Sequence, residues 1–143
     1  MATGIDTSFL VAAEVNSHPE HLRARSKLQT LVQNGERLAL APQVLAEFVH
    51  VVTDSRRFTS PLNMFAAIQR ADAWWNSPEV VQCFPTNNST RTFLAWLSTH
   101  QLGRKRVLDT MLAATYHAAA VQSLLTLNGD DFKVFGCLDL PTI

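Results

Sequence analysis

The chain has 143 residues, of which 47% are hydrophobic and 17% are charged, and its formal net charge is zero at pH 7. This composition excludes a disordered tail, and no apolar run approaches the ~20 residues of a membrane span. Zero net charge also removes the simplest argument for nucleic-acid binding. A chain of this length buries roughly two thirds of its unfolded surface, so we expect a single domain over residues 1–143.

Strands and helices are predicted to alternate along the chain. The predicted elements of the first half are a strand at 3–7, helices from 8 to about 16 and at 19–33, a strand at 37–41, and helices at 43–53 and 62–76. Those of the second half are a strand at 80–84, a helix between 86–90 and Gly103, the helix of Asp109 to about 121, a strand at 123–127, a turn at 128–131 and a short terminal segment. This alternation favours an α/β fold with a mainly parallel sheet, in which helices 43–53 and 62–76 form a hairpin.

The N-terminal stretch and the two cysteines predict a cytoplasmic protein. The stretch Met1-Ala-Thr-Gly-Ile-Asp6 lacks the basic region and cleavage site of a signal peptide and resembles a first strand. Cys83 and Cys137 have no metal-ligand spacing and sit in apolar contexts, so we expect two reduced thiols.

Four acidic side chains stand out from the rest. Asp6, Glu47 and Asp109 each lie in a markedly apolar stretch, and Asp131 follows the last predicted strand. Converging carboxylates repel one another unless a cation lies between them. Oxygen ligands favour Mg²⁺ or Mn²⁺, which activate water and stabilise the charge that develops in phosphodiester cleavage. We therefore predict one divalent metal site for these four acids. The remaining acids, apart from Asp130, are expected to be ordinary solvated charges: Glu14, Glu20, Glu36, Asp54, Asp72, Glu79 and Asp139.

Each of these acids also has an ordinary structural interpretation. Asp6 could cap the helix that follows it, and Asp109 could be favoured by the dipole at a helix start. Glu47 could pair with a base across the helix hairpin, and His50 lies three residues further along. Near the last strand, Asp130 competes with Asp131 for the same role. Spacing alone leaves these alternatives open.

Basic residues are few but clustered. Arginine outnumbers lysine nine to three, and clusters occur at Arg23/Arg25/Lys27, at Arg56–Arg57 and at Arg104–Arg106. Arginine suits bidentate contacts with phosphate, whereas a charge run is also typical of a solvated face.

Four segments carry a resemblance to a known family. They are Gly4-Ile-Asp6-Thr-Ser8, Gln43-Val-Leu-Ala-Glu47-Phe-Val49, Val107-Leu-Asp109-Thr-Met-Leu-Ala-Ala114 and Leu124-Leu-Thr126-Leu-Asn128-Gly-Asp-Asp131-Phe132. In this order and at these separations they resemble the PIN-domain family, specifically the VapC-type toxins of bacterial toxin–antitoxin pairs. The resemblance implies a three-layer α/β/α domain with a mainly parallel central sheet flanked by helices.

The same resemblance implies an activity, a metal and partners. It implies a Mg²⁺- or Mn²⁺-dependent endoribonuclease that forms a homodimer and is inhibited by a cognate antitoxin, whose C-terminal segment fills the groove near the site. No membrane partner is expected. The surface expected to face the antitoxin is the hairpin 43–76, with Phe65, Trp74 and Trp75.

It also implies roles for individual residues. The metal ligands or adjacent acids are Asp6, Glu47, Asp109 and Asp131. The supporting polar residues are Ser8, Thr126 and Asn128, although the family often has Asn where this chain has Ser8. The residues expected to contact RNA are Arg104, Lys105 and Arg106.

Two other functions compete with this one. A phosphohydrolase with an aspartate nucleophile needs a second acid two residues after the first, and Ser8 occupies that position. A catalytically inactive PIN fold that binds RNA or a protein is the remaining alternative, and the intact set of four acids argues against it. For the active enzyme we expect in-line attack by water and products with 5′-phosphates.

Overall fold

A computed structural model describes residues 2–143 and shows four short strands in one parallel sheet. The strands are β1 (Ala2–Ile5), β2 (Arg37–Leu40), β3 (Val80–Gln82) and β4 (Ser123–Leu125), in the spatial order β3-β2-β1-β4. In the register of the two central pairings, Gly4 lies opposite Ala39 on one side and Leu124 on the other.

Six α-helices connect and cover these strands. They are α1 (Thr7–Glu14), α2 (His21–Gln33), α3 (Pro42–Val52), α4 (Met64–Trp75), α5 (Asn87–Thr99) and α6 (Val107–Ala118). Short 3-10 helices occur at Arg104–Arg106, Gly129–Asp131 and Lys133–Phe135. Every predicted strand and helix is present, with ends that differ by a few residues, and α3 and α4 pack together as expected. The predicted α/β class with a parallel sheet is confirmed, whereas a single domain over 1–143 stays a prediction.

Local sequence signals explain where several helices begin and end. The Asp6 side chain caps α1, and Pro42 occupies the first turn of α3, where its missing N–H costs nothing. Thr86 and Ser89 form a reciprocal capping box at the start of α5. The chain leaves α2 through Gly35, whose φ of +78° is easy only for glycine.

The strand order creates a crevice beside β1. The chain runs outward from β1 to β2 and β3, then returns to the other side of β1 to form β4. Parallel connections are right-handed, so α1 to α4 cover one face of the sheet and α5 and α6 cover the other. Open α/β sheets bind ligands where the strand order reverses, at the carboxyl ends of the strands. Here that point lies between β1 and β4.

Tyr116 of α6 joins the two central strands at this same end. Its buried hydroxyl lies 2.7 Å from the Ile5 carbonyl oxygen and 3.2 Å from the Ala39 carbonyl oxygen. Burial raises the pKa of Tyr116, which keeps the hydroxyl protonated as a donor. The ring lies against Gly4, where an added Cβ would come within 2.9 Å of two ring carbons. The close approach of Tyr116 therefore requires glycine at position 4.

Two expectations about the surroundings of α4 are wrong. Glu14 is not an ordinary solvated charge, because its carboxylate accepts the indole N–H of Trp74 at 2.7 Å. Trp74 is consequently buried and unavailable to an antitoxin, while Trp75 packs edge-on against Phe84. The exposed apolar side chains of α4 are instead Met64, Phe65 and Ile68. Tertiary contacts decide this, since adjacent residues of one helix face different directions.

Two remaining expectations concern the thiols and the membrane. Cys83 and Cys137 are both free, as predicted. Among the helices of residues 2–143, we find none with the length and apolar character needed to cross a bilayer.

Replacing Gly4 with alanine should destabilise the protein by about 1–3 kcal/mol, because the new methyl group overlaps a ring that cannot move freely. Urea denaturation measures the change. Gly103→Ala is the matched control, since nothing lies within 4 Å of its added Cβ. Equal stabilities for the two variants would contradict the role given to Gly4.

Candidate active site

Asp6 lies immediately after β1, at the point where the strand order reverses. Its backbone N–H donates to the Leu125 carbonyl oxygen at 3.0 Å, which joins it to the end of β4. One carboxylate oxygen, Oδ1, accepts the backbone N–H of Thr7 at 2.8 Å and so caps α1. The residue is only 5% exposed. The capping interpretation is therefore correct for Oδ1 and leaves Oδ2 to be explained.

Two hydroxyl groups hold the second oxygen of Asp6. Thr126 Oγ1 donates to Oδ2 at 2.6 Å, and Ser8 Oγ donates to it at 3.1 Å. Both hydroxyls are themselves fixed by the backbone, since Ser8 Oγ accepts the N–H of Leu127 at 2.9 Å and Thr126 Oγ1 accepts that of Asn128 at 3.0 Å. Ser8 and Thr126 thus make the kind of contact that the resemblance implied, although the family often has Asn at the first position.

A cavity of about 880 Å³ brings three of the four predicted acids together. Asp6 enters it from the end of β1, Glu47 from the middle of α3, and Asp109 from the first turn of α6. Asn128 lines the same cavity. Four separate elements therefore contribute oxygen-bearing side chains to one space.

Asp131, the fourth predicted acid, does not line this cavity and lies at the end of a 3-10 helix. Its negative charge contributes to raising the pKa of both Asp6 and Asp109, so it acts electrostatically on these two acids. Its neighbour Asp130 is exposed and forms an ion pair with Lys133 at 2.5 Å. Of the two competing acids, Asp131 is the one next to the site.

Burial and mutual repulsion raise the pKa values of the three cavity acids. Desolvation is the largest cause for Asp6, and its hydrogen bonds counteract it. Desolvation followed by the charge of Asp6 raises the pKa of Glu47, even though Glu47 lies at the open rim. The pKa of Asp109 rises to about 6, first by desolvation and then by the charges of Asp6, Asp131 and Glu47. These acids are held in a state that favours an added positive charge.

The donor chemistry of the site fits a hard divalent cation, although the acids do not yet surround one common point. Carboxylate oxygens supported by hydroxyl and amide groups are the ligands that Mg²⁺ and Mn²⁺ prefer. None of the four acids forms an ion pair with a basic side chain of residues 2–143. In that same part of the chain, no three His, Cys, Asp or Glu side chains are already placed to hold one ion. Sharing one ion among three of these acids therefore requires at least one of them to change its side-chain conformation.

The predicted basic residues divide into two kinds. Arg104 and Lys105 are exposed on the 3-10 helix that precedes α6. Arg106 is partly buried, and its guanidinium donates to the carbonyl oxygen of Asp131. Its charge also lowers the pKa of Asp109. Arg106 therefore ties the loop of Asp131 to the start of α6.

Several cavity residues were missed in the sequence. The loop between α1 and α2 contributes His18, and the loop between α3 and α4 contributes Arg57 and Phe58. The pair Arg56–Arg57 was visible as a basic cluster, but sequence alone does not show which arginine faces the acids. His18 and Phe58 gave no signal, because neither belongs to a recognisable motif.

The PIN domain family profile matches residues 5–136, a range that includes all four acids. The chain belongs to the PIN-domain family. A VapC ribonuclease of Mycobacterium bovis and the ribonuclease VapC43 of Mycobacterium tuberculosis are each 32% identical to it over 110 residues. The matched region is 77% of this chain and 75% of each relative. The family predicted from four short motifs is thus confirmed.

Solved structures share this PIN fold. VapC20 of M. tuberculosis, a toxin described as cleaving the sarcin-ricin loop, has a TM-score of 0.70 and 21% identity over 93% of this chain and 94% of its own. VapBC2 of Rickettsia felis, solved with a DNA fragment from the promoter, has a TM-score of 0.68 and 21% identity over 99% of this chain and 98% of its own. These likenesses agree with the predicted α/β/α architecture.

The raised pKa of Asp109 predicts that the difference in unfolding free energy between the wild type and Asp109→Asn depends on pH. Its folded pKa of about 6 exceeds the ordinary value of 3.8, so the folded state binds more protons than the unfolded state between these values. Stability from this group is present at low pH and is lost as the pH rises through that window. With EDTA present, the unfolding free energy of Asp109→Asn relative to wild type should increase over the same window and then level off.

Chemical denaturation at a series of pH values measures this difference. Asp139→Asn is the control, because Asp139 is exposed and lies outside the cavity. A stability difference for Asp109→Asn that does not change with pH would contradict the assigned pKa.

Proposed function

We propose that this PIN domain is a divalent-metal-dependent endoribonuclease and the toxin of a VapBC-type toxin–antitoxin pair, located in the cytoplasm. The ribonuclease activity is supported by family membership and by relatives named as VapC ribonucleases. The single structural observation that carries the proposal is the convergence of Asp6, Glu47 and Asp109 in one cavity, beside Asp131.

The proposed metal is Mg²⁺ or Mn²⁺, held by Asp6, Glu47, Asp109 and Asp131. When bound, such an ion lowers the pKa of water and neutralises the charge that develops at a phosphate during cleavage. Holding several acids near one another without a direct ion pair to a basic side chain is unfavourable for folding alone. A cation-dependent activity accounts for that arrangement.

Other side chains prepare the acids for this role. Thr126 and Ser8 hold Oδ2 of Asp6 in a fixed direction, which limits its rotation toward other partners. Arg106 fixes the backbone at Asp131 through its contact with the carbonyl oxygen. The exposed side chains of Arg104 and Lys105 are proposed to contact RNA phosphates, a contact that is electrostatic and weakens with added salt.

Two protein partners belong to the proposal. Solved relatives of this fold include complexes named VapBC, from Haemophilus influenzae and from R. felis, which supports a cognate antitoxin for this chain. A homodimer is proposed on the resemblance to VapC-type toxins. The exposed apolar side chains of α4 offer one surface for such contacts: Met64, Phe65 and Ile68.

Expression of the wild-type chain in bacteria should generate new RNA 5′ ends that carry a phosphate, because the proposed reaction is attack by water on phosphorus with the 3′-oxygen, which leaves as a 3′-hydroxyl, as the leaving group. Sequencing of RNA 5′ ends with a phosphate-dependent ligation step detects them and maps the cut. Asp109→Asn should yield none. Products ending in 2′,3′-cyclic phosphates would refute attack by water, and identical profiles for the two proteins would favour the catalytically inactive alternative.

Addition of Mn²⁺ should raise the Tm of the wild-type protein by several degrees, because a ligand that binds only the folded state stabilises it. Thermal unfolding monitored by circular dichroism measures the shift. Asp6→Asn and Asp109→Asn should abolish it, while Asp139→Asn should retain it. An equal shift in all four proteins would assign the ion to another site.

A further inference from the structure

The 880 Å³ cavity extends well beyond the acids, and the extra space has a different chemistry. This extension, called here the basic arm, is formed by residues 17–19 between α1 and α2 and by residues 57–60 between α3 and α4. No step of the proposed cleavage uses these residues. The volume of the whole cavity is typical of sites that take small molecules.

Arg57 supplies the positive charge of the basic arm. Its charge lowers the pKa of Glu47, which places the guanidinium near the acidic end. Its ion pair with Asp54 is long, with Nε 3.6 Å from Oδ2. Arg56 instead uses both Nε and a terminal nitrogen to hydrogen-bond Asp54, along with its backbone N–H. Within the described chain the Arg57 side chain makes no hydrogen bond, so its donors are available to a phosphate.

Phe58 supplies an aromatic face. Phe58 is partly buried against the hydrophobic core, and it also lines the cavity together with Val11 and Val51. An aromatic ring fixed in this way is a platform for an unpaired base, since stacking needs the face of the base to be accessible. A base within a duplex has no such free face.

His18 and neighbouring hydroxyl groups supply hydrogen bonds at the same end. The Nδ1 atom of His18 accepts the backbone N–H of Glu20 at 3.0 Å, so a neutral ring carries its proton on Nε2 and donates from there. Ser17, Thr59 and Ser60 also line this part of the cavity. Groups of this kind contact base edges in proteins that bind single-stranded RNA.

We propose that the basic arm is a binding subsite for one unpaired nucleotide adjacent to the scissile phosphate, with its phosphate on Arg57 and its base against Phe58. This inference rests on the proposed ribonuclease function. It extends that function by assigning the recognition of unpaired RNA to two loops that carry none of the four acids. An antitoxin segment is the competing occupant, but a lone arginine beside an aromatic ring, next to acids that attract cations, matches a nucleotide more closely.

The test uses a short single-stranded RNA that contains the cut site mapped for the wild-type protein. Binding is measured by fluorescence anisotropy with EDTA present, which separates affinity from turnover. Arg57→Gln should lower the affinity about tenfold and reduce the slope of log affinity against log salt by about 0.7, the value for one phosphate of a single strand. Arg56→Gln is the matched control, because Arg56 belongs to the same turn and lies outside the cavity; it should change affinity less than about twofold.

A set of modified RNAs locates the contacts. Neutral methylphosphonate linkages and abasic nucleotides are introduced one position at a time. One methylphosphonate next to the cut should weaken binding to wild type and have no further effect on Arg57→Gln. One abasic nucleotide should weaken binding to wild type and have no further effect on the affinity of Phe58→Leu. Phe58→Tyr, which keeps an aromatic ring, should lose affinity with this RNA as the wild type does. Such paired losses identify a direct contact even if a variant is less stable.

The outcomes separate this inference from the function on which it rests. If no cut RNA can be mapped, the proposed function fails and the subsite fails with it. If a cut is mapped but Arg57→Gln behaves like Arg56→Gln, or no modified position couples to Phe58→Leu, the subsite alone is wrong. If Arg57→Gln weakens binding of a synthetic peptide of the cognate antitoxin C-terminus and leaves RNA affinity unchanged, the basic arm belongs to the protein partner.

Discussion

The site depends on one buried carboxylate at the end of a central strand. Burying a charge costs several kcal/mol unless hydrogen bonds compensate it, and Asp6 receives them from Thr7, Ser8 and Thr126. These bonds connect the ends of β1 and β4, so the same contacts that stabilise the charge also close the sheet beside it. The pKa of Asp6 is nevertheless raised, chiefly by desolvation. The fold therefore fixes the position of this acid while leaving its charge incompletely compensated.

The topology of the sheet explains why the acids meet. Asp6 follows β1, Glu47 lies on the helix after β2, Asp109 lies on the helix before β4, and Asp131 follows β4. Parallel strands present their carboxyl ends along one edge, and the reversal of strand order leaves a crevice there. Repulsion among these acids opposes folding, which is a common cost of a functional site. The packing of Tyr116 against Gly4 stabilises this edge of the sheet and so opposes the destabilising effect of the repulsion.

Acidic and basic side chains line different parts of the same cavity. Its floor is acidic and suits a divalent cation, whereas the basic arm carries Arg57 and an aromatic face and suits a nucleotide. Metal binding and RNA recognition would then be carried by different parts of the fold. On this proposal, the sheet and the helix ends determine the chemistry, and two surface loops select the substrate. A net charge of zero is compatible with RNA binding on these terms, since the distribution of charge matters more than its sum.

Sequence alone was sufficient for the order of strands and helices along the chain, for the family, and for three of the four predicted acids that line one cavity, because hydrophobic periodicity and short motifs report local geometry directly. It also placed Ser8 and Thr126 beside those acids through the family resemblance. It was not sufficient for Glu14, Trp74 or Arg57. The environments of Glu14, Trp74 and Arg57 depend on side chains distant in the sequence: Glu14 accepts the indole N–H of Trp74, and the charge of Arg57 lowers the pKa of Glu47. Only the packing of loops and helices against one another decides which side of such a residue meets protein and which meets solvent.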